Sequence, residues 1–188
     1  MLVVPASALQ GQPTGVVRAF DLDTLLEQSC YLPRWQVEHN PKWRQLVSYI
    51  VLQQQNLVFV TQRLRAQGEA RLHSLYSVGV GGHINRHDGA DPVSRGWQRE
   101  LAEEMSLDWT VPPSPPRALI NDLSTDVSKD HLGLLFLVEI PQGKSARVRE
   151  QDKMRGELLP VDEVCCQLYD RLESWSQLVV DYLREAQQ

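Results

Sequence analysis

The sequence predicts a mixed α/β fold, and three observations carry that expectation. Two apolar runs, Leu46–Leu52 and Leu57–Thr61, precede an amphipathic segment from Pro92 to Met105. A nearly all-apolar stretch, His131–Ile140, comes after that segment. A second amphipathic segment closes the chain, with Leu172, Trp175, Val179 and Tyr182 on one face. Sheet segments on both sides of one central helix, closed by a terminal helix, imply helices layered on a sheet.

Each element has a local reason. Met1–Val4 reads as an edge strand ended by Pro5, and residues 1–45 otherwise read as irregular. Asp23–Cys30 reads as a short helix capped by Asp21 or Asp23. Pro33 and Pro41 break the regularity of the chain beyond that helix. The runs 46–52 and 57–61, separated by Gln and Asn, read as a hairpin. Leu75–Val80 is a third strand candidate that runs into Gly79, Gly81 and Gly82. In the central helix Val93, Trp97, Leu101 and Met105 recur every four residues, which buries one stripe, and Asp91 before Pro92 suits a helix start. Arg117–Leu123 and His131–Ile140 read as strands, the second central because it is apolar on both faces. Glu157–Leu159 reads as a short strand.

Composition narrows the function. The 188 residues fit one domain, and 42% hydrophobic content supplies a substantial core. A net charge of −5 argues against a nucleic-acid polymer as partner, which needs concentrated positive charge. Cys30, Cys165 and Cys166 form neither a disulfide framework nor a CxxC metal knuckle; Cys165 and Cys166 read as small apolar residues of a helix. Met1–Pro5 has no secretory pattern and no uncharged run reaches membrane-spanning length, so the expectation is a cytoplasmic protein with no membrane partner.

The chemistry concentrates in Arg99-Glu100-Leu101-Ala102-Glu103-Glu104. Residues three and four apart on a helix are neighbours, so Glu100, Glu103 and Glu104 share one patch and repel one another. A hard divalent cation would remove that repulsion by taking oxygen ligands. The alternative is a solvated acidic face paired with Arg95 and Arg99. Upstream, Ser77-Val-Gly-Val-Gly-Gly-His-Ile-Asn85 places glycines at a strand end, where a backbone can approach a ligand closely.

Together these segments resemble the Nudix box: Gly, five residues, Glu, seven residues, Arg-Glu, an aliphatic, any residue, Glu-Glu, any residue, Gly, an aliphatic. Arg99, Glu100, Leu101, Glu103, Glu104 and Leu107 stand at matching places, and Asp91 stands where the first Glu belongs. Strict spacing puts Asn85 at the first glycine; the natural glycine is Gly82, which makes the loop His83–Ala90 about three residues longer. Ser106 replaces the final glycine that ends the helix. The box covers about 81–107 of a single Nudix domain, 1–188, with an N-terminal extension of about 1–45. The stretch Arg63–Asn85, with Gly68-Glu-Ala-Arg71-Leu72, and His131-Leu-Gly133 are similar to a little-characterised bacterial subgroup.

The resemblance implies an α/β/α sandwich with a mixed β-sheet and a Mg²⁺- or Mn²⁺-dependent hydrolase of a phosphoanhydride in a nucleoside-diphosphate-linked or related small molecule. It implies Glu100, Glu103 and Glu104 as metal ligands with the Gly81 carbonyl, and Glu103 or Glu104 as base. Arg99 orients a glutamate, and Asp91 would brace Arg99. Many relatives are dimers, so a homodimer is expected. Two alternatives stand: a catalytically silent nucleotide-sensing module, which has no need of three repelling carboxylates, and a prenyl-diphosphate isomerase-like enzyme, for which no cysteine lies near the glycine turn.

Other residues enter as candidates. Arg63 and Arg71 suit phosphate recognition through bidentate guanidinium contacts. His83 either contacts phosphate, assists proton transfer or ties down the loop; His87 reads as a surface residue and His131 as a structural histidine. Trp35, Trp43 and Tyr49 either stack a base or belong to the core. An extra acid from outside the box has four candidates, Asp126, Glu150, Asp152 and Glu157.

Overall fold

The computed structural model describes residues 1–63 and 75–186. Eleven strands are present among the described residues, in chain order β1 (Leu2–Pro5), β2 (Gly15–Val17), β3 (Cys30–Tyr31), β4 (Trp43–Gln54), β5 (Leu57–Arg63), β6 (Tyr76–Ser77), β7 (Met105–Leu107), β8 (Ala118–Asn121), β9 (His131–Glu139), β10 (Ala146–Val148) and β11 (Met154–Pro160). The α-helices are α1 (Leu22–Glu27), α2 (Arg34–Val37), α3 (Pro92–Glu104), α4 (Asp126–Asp130), α5 (Val161–Glu163) and α6 (Ser174–Glu185). The chain forms two compact units, the first Met1–Tyr49, Gly81–Glu100 and Pro113–Phe136, the second Ile50–Val80, Leu101–Pro112 and Leu137–Gln188. The strands β4 and β9 and the helix α3 contribute residues to each.

In the first unit β2, β8, β9 and β4 lie side by side, and β1 pairs with β3 and with β4. All of β8 is buried, as befits a strand covered on two faces. Trp97 has no exposed surface and stacks on Phe136, ring centroids 5.2 Å apart. That contact anchors the apolar stripe of α3; truncating a buried Trp costs about 3–5 kcal/mol. Asp91 begins this helix as expected, its Oδ1 accepting from Ser94 N at 3.3 Å.

In the second unit β11, β5 and β4 run antiparallel to their neighbours, with Gln54 opposite Leu57 across a two-residue turn. Gln55 occupies the left-handed region there, at φ 55°, which a hairpin turn of this length demands. Ile140 N donates to Gln53 O at 2.7 Å, setting the end of β9 beside the end of β4. The start of β9 meets the start of β4 through Arg44, which donates to His131 O. These two strands therefore run parallel, which makes the sheet mixed. The apolar face of α6 is buried through Val179, Val180 and Leu183.

Several expectations need correction. Residues 1–45 are not irregular: β1 and β2 pair with β4 and β8, because their consecutive apolar residues, Leu2–Val4 and Val16–Val17, find partners far along the chain. For the same reason β1 is no edge strand. Only Tyr76–Ser77 of Leu75–Val80 forms a strand, with Val80 making one isolated bridge to Ile50. Met105 begins β7 rather than closing the helix, and Leu172 precedes α6. Cys165 and Cys166 do lie in a helical turn, the π-helical segment Val164–Leu168. No helix among the described residues is long and apolar enough to cross a membrane.

Candidate active site

The site begins with the glycine turn. Gly81 has φ +148°, and a Cβ there would collide with the Ser48 carbonyl oxygen. Gly82 is constrained from the other side: a Cβ would stand 2.6 Å from a Glu100 carboxylate oxygen. Gly81 needs glycine because backbone approaches it so closely, whereas a side chain at Gly82 would displace the Glu100 carboxylate. Ser48 fastens the turn, its N and Oγ both donating to Gly82 O, at 2.9 and 3.2 Å. The neighbouring Gly81 carbonyl accepts no hydrogen bond among the described residues.

Arg99 is the hub. Its Nε donates to Asp88 Oδ1 at 2.7 Å, Nη2 to Asp88 Oδ2 at 3.2 Å and to His83 O at 3.0 Å, and Nη1 to Glu100 Oε1 at 2.7 Å. The Asp88 carboxylate, whose hydrogen bond is the foremost cause, holds Arg99 charged at any working pH. Burial pushes Asp88 up, but the Arg99 bonds and the Asn85 N–H, 2.7 Å from Oδ2, more than offset it and hold the carboxyl below its usual range. Arg99 thus binds the loop and positions Glu100 at the same time.

The carboxylate bracing Arg99 is Asp88, where Asp91 was expected. Asp91 serves the helix start. The signal was present in the sequence: Gly82, five residues, then Asp88 is the family spacing, so the three extra residues fall after the acid and before Arg99. Counting back from Arg99 points to Asp91 instead, because the insertion lies between the acid and the arginine, in a loop.

His83 and His131 meet at Nε2···Nε2 3.1 Å. His131 Nδ1 lies 2.6 Å from Val127 O, and a carbonyl only accepts, so Nδ1 carries the proton. The proton between the two Nε2 atoms then joins the rings in one hydrogen bond. Burial pushes His83 down to about 4, and the His131 ring adds to the shift. His83 thus joins the glycine turn to the start of β9 through His131. His87 is exposed. Tyr49 belongs to the core, whereas Trp35 is 78% exposed.

In the second unit Glu103 is exposed and Glu104 half-buried. Among the described residues no three His, Cys, Asp or Glu side chains gather at metal-binding distance. The helix end needs no glycine at Ser106, which lies in β7 opposite Arg147. Arg149 does the capping: its N donates to Glu104 O at 2.9 Å and its Nε to Ala102 O at 2.6 Å, which satisfies orphan carbonyls of the last turn. Of the four extra acids, Glu150 sits next to this cap and pairs with Lys153 at 2.7 Å; Asp126 pairs with Lys129 in α4, Glu157 is exposed on β11 and Asp152 lies in the turn before that strand. Lys153 is held charged by Glu150 foremost, with Glu104 contributing to the same field. Arg63 ends β5, opposite Met154; Arg71 lies outside the described residues.

This fold and this arginine-centred turn define the class, and the chain belongs to the Nudix family: an α/β/α sandwich with a mixed sheet. It is similar to Protein YmaB of Bacillus subtilis (strain 168), 35% identical over 156 residues, 80% of this chain and 76% of that protein. Among solved structures it matches Tm1382, described as a Nudix hydrolase, at TM-score 0.82 and 29% identity over 99% of this chain and 98% of that one. A structure from Jonesia denitrificans, described among asymmetric diadenosine tetraphosphate hydrolases, shares the fold at TM-score 0.56 and 14% identity, over 76% and 93% of the two chains. No protein-family profile matches the chain.

Proposed function

We propose that the chain is a Mg²⁺- or Mn²⁺-dependent hydrolase that splits a phosphoanhydride bond in a nucleoside-diphosphate-linked or related small molecule. One observation carries the reading: the box geometry survives a three-residue insertion, with Asp88 locking Arg99 and Arg99 holding Glu100 over the glycine turn. The pyrophosphatase and dinucleotide-hydrolase descriptions of structures with this fold agree with it.

The donor types, carboxylate and carbonyl oxygen, suit a hard cation, while the three carboxylates are not gathered at metal-binding distance among the described residues. Glu100, Glu103 and Glu104 of α3 supply carboxylate oxygens, and the Gly81 carbonyl accepts nothing else among the described residues. A bound cation would neutralise the diphosphate and lower the pKa of a water that attacks phosphorus. The chain's own work is positional. Arg99 directs its donors to Asp88, His83 O and Glu100, so it orients a ligand and does not hold substrate. Glu103 or Glu104 takes the proton of the attacking water. A small-molecule substrate, a cytoplasmic setting and a homodimer complete the proposal.

The test combines melting and turnover. Wild type should gain melting temperature with millimolar Mn²⁺, and a panel of nucleoside triphosphates, dinucleotides, nucleotide sugars and coenzyme A should contain a compound that is hydrolysed. Metal binding with no hydrolysis of any panel member would favour a nucleotide-sensing module; no melting shift would refute the metal site.

A further inference from the structure

We propose that the first unit carries a purine-nucleotide site, with guanine preferred, in a cavity apart from the box helix. The cavity measures about 530 Å³ and is lined by residues of the first unit alone, none from α3. Its size suits a nucleotide. Ala6, Leu9, Pro41 and Leu123 form apolar walls, and Arg44 and Asp130 are its most buried charges, 5% and 8% exposed.

Arg44 is a buried cation held by neutral oxygens. Its Nε and Nη2 donate to the carbonyls of His131, Asp122 and Ser128, and Nη1 donates to Asn121 Oδ1 at 3.3 Å. These bonds leave one Nη1–H unused, and the Asp122 and Asp130 carboxylates act on the guanidinium through space rather than by hydrogen bonds. A buried charge so placed gains from an acceptor supplied from outside. Asp130 is the complement: its Oδ2 accepts from His39 N at 2.9 Å and lies 3.3 Å from His39 Nδ1, while Oδ1 accepts nothing among the described residues.

One donor and one carboxylate acceptor between apolar walls read the edge of a flat heteroaromatic ring. Guanine matches best. A guanidinium pairs with guanine O6 or N7, and a carboxylate accepts the neighbouring N1–H and N2–H. Adenine offers the carboxylate one amine only. A zwitterionic amino acid satisfies both charges but leaves most of the volume empty.

The test is isothermal titration of the metal-free wild-type chain with GMP, AMP and CMP, so that it succeeds or fails independently of the box chemistry. GMP should bind at least tenfold tighter than AMP, and CMP weakest. Leu123→Trp fills the cavity from a half-exposed wall and Asp130→Asn removes the acceptor of two N–H groups; each should weaken GMP at least tenfold. Urea unfolding and circular dichroism check that both variants fold as wild type does. Absence of GMP binding at millimolar concentration, equal binding of the three nucleotides, or GMP binding unchanged in a folded Leu123→Trp protein overturns the proposal.

Discussion

Two stretches of the box helix are held in opposite ways. Just past its middle, the Arg99 side chain is sunk in a bracket of Asp88, His83 O and Glu100, with Asp88 only 4% exposed. Towards its end, the helix is fastened through its backbone: Arg149 takes the carbonyls of Ala102 and Glu104. Fastening by backbone leaves Glu103 exposed and Glu104 half-exposed. A helix can thus be held through its side chains along one stretch and through its backbone carbonyls at its end, provided those carbonyls are capped from elsewhere.

The largest expected effect breaks the outward end. Glu103→Gln and Glu104→Gln should each lower turnover by orders of magnitude, because the neutral amide keeps size and helix propensity but loses the charge that a hard cation needs. Metal-free variants should melt no lower than metal-free wild type, since a repelling charge is gone. Mn²⁺ raising the melting temperature of the variants as much as that of wild type would refute the assignment.

Next comes the bracket. Asp88→Asn leaves Arg99 facing a neutral partner and should cost about 3 kcal/mol in urea unfolding. Asp91→Asn keeps a capping side chain and should cost less than about 1 kcal/mol. Equal losses would erase the distinction between the bracing acid and the capping acid.

The bracket's histidine gives a pH dependence. With His83 pushed down to about 4 in the folded chain, the unfolded chain takes the proton first as pH falls. Stability from this group is therefore full above about pH 6.5 and is lost between about 6.5 and 4, by at most roughly 3 kcal/mol. The Asp88 carboxyl, held below its usual range, acts in a separate, lower window: its contribution disappears only as pH drops through its depressed pKa. His83→Gln should flatten the upper window alone, measured as unfolding free energy against pH. The smallest effect belongs to the cap: Arg149→Gln should cost about 1 kcal/mol and leave turnover near wild type.

What could be read from the sequence by itself was what neighbours along the chain decide. The four-residue recurrence of Val93, Trp97 and Leu101, the Gln-Asn turn after Leu52 and the apolar run from His131 each signal an element through local periodicity, and each formed. The order Arg99-Glu100-x-x-Glu103-Glu104 was legible for the same reason, since a helix sets the spacing of its own side chains. Asp88 was legible in principle, by counting forward from Gly82. Only the tertiary structure could pair β1 and β2 with strands many residues away, join His83 to His131, or send Arg149 back to cap α3. Those contacts form because buried polar groups must find partners wherever the fold offers them, and no local pattern records where that is.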